Sequence, residues 1–129
     1  MLISADQLLA HAFGDYVLQT HEMAIQKTKS WKWALFHSVT YFIPLALLDP
    51  SGAAAIVIIG SHAVIDRLRL ARHLIYAKNF ITSDPKLSWE ACKKTGFDPD
   101  VPVWLATWML IIVDNLMHVV INGLALKYL

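Results

Sequence analysis

Residues 53–69 read AAAIVIIGSHAVIDRLR. An apolar run meets His62 and then Asp66, four residues on, before arginines close the stretch. That spacing puts imidazole and carboxylate on one helix face, a turn apart. The same pair stands at 11–15 as H-A-F-G-D and, in reversed order, at 114–118 as D-N-L-M-H. In an up-down-up-down arrangement the segment carrying the reversed pair also runs the opposite way, so the two reversals cancel. His11, His62 and His118 are thus expected at one level and Asp15, Asp66 and Asp114 at another, about 6 Å away along the axis. His37, alone in the second apolar segment, lies at a similar depth.

Working outward, four apolar segments are expected as helices over about 5–26, 31–48, 53–78 and 101–128 in one helical membrane domain. Ser4 with Gln7 offers a capping box, Pro44 a kink, and Asp49-Pro50-Ser51-Gly52 a reversal. A short amphipathic helix carrying Trp89 is expected in the third connection, 82–100, with Gly96 as its stop. The fold class expected is all-α, a four-helix antiparallel transmembrane bundle. Composition agrees: 57% of the 129 residues are hydrophobic and only 16% charged, against about 25% charged in soluble domains. The uninterrupted apolar runs are shorter than a plain spanning helix, which keeps a soluble bundle as the alternative.

Lys27, Lys29 and Lys32 fall in the first connection, Arg67 to Lys94 around the third, and none in the second. The positive-inside tendency then puts both termini outside the cytoplasm, in a bacterial or host inner membrane. Met1 to Gln7 has Asp6 and no Lys or Arg, so the first segment is expected to stay in the mature chain. Trp31, Trp33, Trp89, Trp104 and Trp108 read as an interfacial belt. A net charge of +1 and the absence of any nucleic-acid motif argue against a nucleic-acid partner. The lone Cys92 forms no internal disulfide. Oligomeric state stays open.

Imidazoles and carboxylates gathered in a low-dielectric interior are unsatisfied, and the carboxylates repel one another. One divalent cation, or two, resolves both problems. The candidate ligands are His11, Asp15, His37, His62, Asp66, Asp114 and His118, a nitrogen-and-oxygen set that suits zinc or manganese. Any one pair alone reads equally well as a helix–helix hydrogen bond; three pairs in matching register favour a metal or proton-handling site. Gln19 and Asn122 continue the stripes as candidate orienting residues. Arg69, close to the face of Asp66, is the candidate phosphate holder, with Asp15, Asp66 and Asp114 as candidate proton acceptors. His21 and His73 fall near helix ends and stay outside the site.

H-A-F-G-D-Y-V-L-Q at 11–19, H-A-V-I-D-R-L-R at 62–69 and D-N-L-M-H at 114–118 resemble the phage and bacterial membrane proteins grouped as domain of unknown function 3307. The resemblance spans nearly the whole chain and implies a small membrane protein without an assigned activity. A looser likeness, in ligand style only, is to small membrane-bound metal-dependent hydrolases. The function expected is a metal-dependent hydrolase acting on a lipid phosphoester. The alternatives are a metal or proton conduit and a phage-encoded membrane partner protein with a structural metal.

Overall fold

The computed structural model describes residues 2–129, and among them are seven α-helices, one π-helical turn and no strand. Ser4 starts α1 (Ala5–Ala12), its hydroxyl accepting the Gln7 N–H at 3.2 Å. The other half of the expected box is missing, because the Gln7 side-chain amide donates instead to the Val119 carbonyl at 2.7 Å. A buried carbonyl without a partner costs more than a solvated helix end.

The single helix expected over 5–26 does not form. α1 passes into a π-helical turn, Phe13–Val17, in which the Leu18 N–H reaches back to the Phe13 carbonyl at 3.1 Å. A separate helix, α2 (His21–Gln26), starts under Thr20, whose hydroxyl accepts the Met23 N–H. The reason is tertiary. A Cβ on Gly14 would lie 2.6 Å from the Tyr41 carbonyl oxygen and 2.8 Å from the Tyr41 ring, so glycine admits the next helix directly against this turn.

That helix is α3 (Trp31–Ala46), which stops two residues after Pro44. The Ser51 hydroxyl caps α4 (Gly52–Leu68) by accepting the Ala54 N–H at 3.0 Å. The helix expected over 53–78 is likewise split. Arg69 adopts φ 52°, ψ 50°, and α5 (Leu70–Thr82) begins after it. Left-handed backbone costs a non-glycine residue about 1–2 kcal/mol. Two side-chain bonds to carbonyls beside the break offset that cost, Arg69 to Lys94 at 3.1 Å and Arg72 to Lys93 at 2.8 Å. α6 (Trp89–Cys92) is the short helix of the third connection, and α7 (Val103–Tyr128) completes the chain.

The chain divides into two compact units. In the first, residues 2–68 and 118–129, a small apolar core of Ala10, Tyr41, Leu45, Ala54, Ile58 and Ala125 lies beside a buried polar cluster. In the second, residues 69–117, the His73 ring stacks on Trp89 at 4.5 Å and Tyr76 donates to the Leu87 carbonyl. Gly96, at φ 86°, packs where a Cβ would strike the Arg72 carbonyl.

Only α7, at 26 residues, is long and apolar enough to cross a membrane among the described residues, and only 28% of its apolar window is buried. The four crossings expected from the sequence are not supported. α3 and α4 have 16 and 17 residues, about 24 and 26 Å, short of a hydrocarbon core of about 30 Å. Their outward faces are nevertheless apolar. Leu47 is 86% exposed and Ile56 75%, with Leu35, Phe36, Val39 and Ile43 also exposed.

Candidate metal centre

The interior of the first unit inverts the usual distribution. His11, Asp15, His37, His62, Asp66, His118 and Asn122 are all buried, three of the histidines at 1% exposure or less. α1 supplies His11, the π-helical turn Asp15, α3 His37, α4 His62 and Asp66, and α7 His118.

The His62 ring is held between two others, Tyr41 at 3.8 Å and His118 at 4.0 Å, both nearly parallel to it. Nδ1 of His62 and of His37 is buried without a hydrogen-bond partner, so packing sets the orientation of the His62 ring. Its Nε2 then lies 3.1 Å from His37 Nε2 and 3.2 Å from Asp66 Oδ2, and His37 Nε2 lies 3.4 Å from the same oxygen. These three atoms form a triangle with sides of 3.1–3.4 Å. Ligand atoms about 2.0–2.1 Å from a tetrahedral zinc stand about 3.3–3.4 Å apart. Asp15 Oδ1 makes a second such triangle on the same His37–His62 edge, at 3.2 and 3.4 Å. Asp15, His62 and His118 also bring ligand atoms within 4.8 Å of one another.

The two rows expected at separate levels are therefore one interleaved cluster, because side chains a turn apart lean together. Five of the seven expected ligands, Asp15, His37, His62, Asp66 and His118, bring ligand atoms together within this unit. His11 has a different place in it from the others. Asn122 Nδ2 donates to the Tyr41 hydroxyl at 2.5 Å, and that hydroxyl lies 2.7 Å from His11 Nδ1. The Asn122 amide takes one of the hydroxyl's two lone pairs, and the His11 tautomer decides whether the hydroxyl donates to Nδ1 or accepts from it; His11 Nε2 stands 3.7 Å from Asp15 Oδ2, beyond hydrogen-bond reach. Asn122 thus acts through Tyr41. Asp114 lies on α7 one turn before His118, half-buried, in the stretch belonging to the second unit.

The Arg69 guanidinium donates to the Lys94 carbonyl at 3.1 Å, and its left-handed backbone marks the split between α4 and α5. Gln19 sits in the break after the π-helical turn with its Oε1 buried and without a hydrogen-bond partner.

Sequence reasoning missed Lys27, Tyr41 and Gly14. Lys27 Nζ is 2.9 Å from Asp66 Oδ2 and 3.3 Å from His37 Nε2. No local signal announces it, since the helix expected over 5–26 would carry it about 18 Å along the axis from Asp15. Tyr41 was legible: it follows His37 by four residues, the same spacing that relates each His to its Asp. With neutral imidazoles, Lys27 cancels one of the two carboxylate charges and leaves the other buried. A further cation fits the charge as well as the spacing, since an unpaired buried carboxylate is costly.

The class defined by these features is an all-helical protein whose first unit holds a buried cluster of histidines and aspartates spaced as a metal's ligands could be. The chain belongs to the family described as protein of unknown function (DUF3307), which it matches over residues 3–128. No curated protein and no solved structure matches it, so the likeness to membrane-bound hydrolases gains no support from comparison.

Proposed function

We propose that the protein is a metal-dependent hydrolase embedded in a membrane, with a phosphoester lipid as its substrate class. The observation that carries the reading is the triangle of His37 Nε2, His62 Nε2 and Asp66 Oδ2, buried and spaced like one face of a metal's coordination shell. The nitrogen-and-oxygen set favours zinc or manganese. The second set, Asp15, His62 and His118, shares His62. One ring nitrogen has one lone pair, so through Nε2 these two sets are alternatives to each other.

A divalent ion supplies a Lewis acid and an acidified water. Asp15, whose Oδ1 lies 3.2 Å from His37 Nε2 and 3.4 Å from His62 Nε2, would take the proton of the attacking water as its oxygen bonds to phosphorus and the phosphorus–ester oxygen bond breaks, and would return that proton to the leaving oxygen. His118 orients His62 by stacking.

The membrane reading rests on the apolar exterior around this polar interior. α7 crosses, while α3 and α4 form a shorter hairpin that the bilayer accommodates by thinning. Arg67 Nη1 donates to the Thr28 carbonyl at 3.0 Å, which joins the first basic connection to the end of α4, as expected if both face the cytoplasm.

Elemental analysis of detergent-purified protein tests the centre. Zinc or manganese at one equivalent or more is expected, lost in His62→Ala and Asp66→Ala together with release of phosphate or alcohol from lipid phosphoesters. A folded wild-type preparation that takes up neither metal refutes it.

A further inference from the structure

The cluster has one flexible cationic side chain, and it belongs to a residue the sequence places in a connecting loop. Lys27 ends α2, and the break at residues 18–20 folds this segment back so that its ammonium meets Asp66 and His37. Its side chain is 16% exposed, whereas those of His37 and Asp66 are at 0% and 3%. Lys27 therefore lies at the boundary between the buried triangle and its surroundings, against the His37–Asp66 edge.

We propose that Lys27 is the residue that binds the substrate's phosphoryl oxyanion at the centre, in the place the sequence suggests for Arg69. This rests on the metal-centre reading above. The charge arithmetic gives the reason. With neutral imidazoles, Asp15, Asp66 and Lys27 sum to one negative charge, and a divalent ion turns that into one positive charge. Without the ammonium the loaded cluster is neutral and has no net attraction for an anion. An ammonium is a compact point charge with three donors on a flexible stem, able to leave one acceptor for another. When an oxyanion arrives, Nζ moves from Asp66 Oδ2 to the phosphoryl oxygen, and Asp66 remains compensated by the ion. Nothing covalent changes in this step. Arg69, fixed to the Lys94 carbonyl, has no such freedom in this structure.

The test uses the full chain in detergent, loaded with Co²⁺, whose visible spectrum reports both occupancy and changes in coordination. Inorganic phosphate and a short-chain phosphatidate are titrated separately, which distinguishes free phosphate from a lipid headgroup as the source. Lys27→Met is expected to keep its Co²⁺ and to bind the preferred anion about ten- to a hundred-fold more weakly, the range for a lost charge-assisted hydrogen bond. Lys27→Arg is expected to stay within a few-fold of wild type. Unchanged anion affinity in Lys27→Met with Co²⁺ bound overturns the role of Lys27 and leaves the metal centre standing. Failure of wild type to bind Co²⁺ overturns both. Should Lys27→Met not fold, wild-type protein decides by acylation of its lysines followed by mass spectrometry. The anion must slow modification of Lys27 and leave Lys29 and Lys32 unaffected, and equal rates overturn the proposal.

Discussion

Replacing Tyr41 by Phe removes one oxygen from the centre of the buried cluster and leaves the ring that stacks on His62 at 3.8 Å. The hydroxyl lies 2.7 Å from His11 Nδ1 and accepts from Asn122 Nδ2 at 2.5 Å, and Tyr41 is 0% exposed. No water replaces it without repacking. Two buried hydrogen bonds are lost, each a net contribution of about 1 kcal/mol, and the Asn122 amide loses its acceptor at a further cost of about 1–3 kcal/mol. Tyr41→Phe should therefore destabilise the protein by about 3–5 kcal/mol, seen as a lower midpoint of thermal unfolding in detergent. A second readout separates site geometry from bulk stability. The Tyr41 hydroxyl is the 2.7 Å partner of His11 Nδ1 beside the cluster, and losing such an outer partner typically weakens metal binding about 10- to 100-fold. In a double-mutant cycle with Asn122→Ala, the coupling should fall within the range of about 0.5–3 kcal/mol found for contacting residues. Unchanged unfolding and unchanged zinc affinity in Tyr41→Phe would show that the Asn122–Tyr41–His11 chain does not organise the cluster.

Gly14→Ala should cost about 1–3 kcal/mol by overpacking, since the new Cβ meets the Tyr41 carbonyl at 2.6 Å; wild-type stability in a thermal melt would contradict the close approach. Metal titration followed by calorimetry should show a tight ion in wild type that His62→Ala loses, because His62 serves the sets with His37 and Asp66 and with Asp15 and His118; an unchanged tight equivalent in His62→Ala would place the ion elsewhere. Arg69→Ala should leave zinc content and phosphoester turnover within about two-fold of wild type, its guanidinium being engaged with Lys94; a loss as large as that of Lys27→Met would return the anion-binding role to Arg69.

Much of the candidate site is legible in the sequence because it is written in local spacing. A His and an Asp four residues apart share a helix face whatever the helix packs against, and the reversed order at 114–118 carries the register between segments. What spacing does not encode is where a helix gives way. At Arg69 no glycine or proline marks the split between α4 and α5, and the bonds that offset the left-handed backbone come from carbonyls about 20 residues later in the chain. The break after Val17 is marked only by Gly14, a residue that helices tolerate at modest cost; the need for it arises from Tyr41 on another helix. The expectation of four spanning rods fails for the same reason, since it joined segments that tertiary contacts divide. Lys27 reads as a topology signal because a continuous first helix leaves it no other environment.

The interrupted first helix and the buried charge are connected. A continuous helix over 5–26 would satisfy more backbone within itself, yet it would leave Asp15 and Asp66 facing each other's charge with no ammonium within reach. The π-helical turn sets Asp15 Oδ1 3.2 Å from His37 Nε2, and the folded-back α2 sets Lys27 2.9 Å from Asp66. π-helical turns recur at functional sites because they spend backbone regularity on placing a side chain. Here the one turn admits α3 through Gly14 and aims the neighbouring Asp15 at His37, while the chain after it returns a cation to the cluster. Restoring a regular helix, by deleting one residue between Phe13 and Val17, should therefore remove metal binding even where the fold survives, because it rotates Asp15 away from His37 and carries Lys27 away from Asp66. Helicity by circular dichroism together with zinc content decides it: undiminished helicity with retained zinc would mean that the interruption has no part in building the centre.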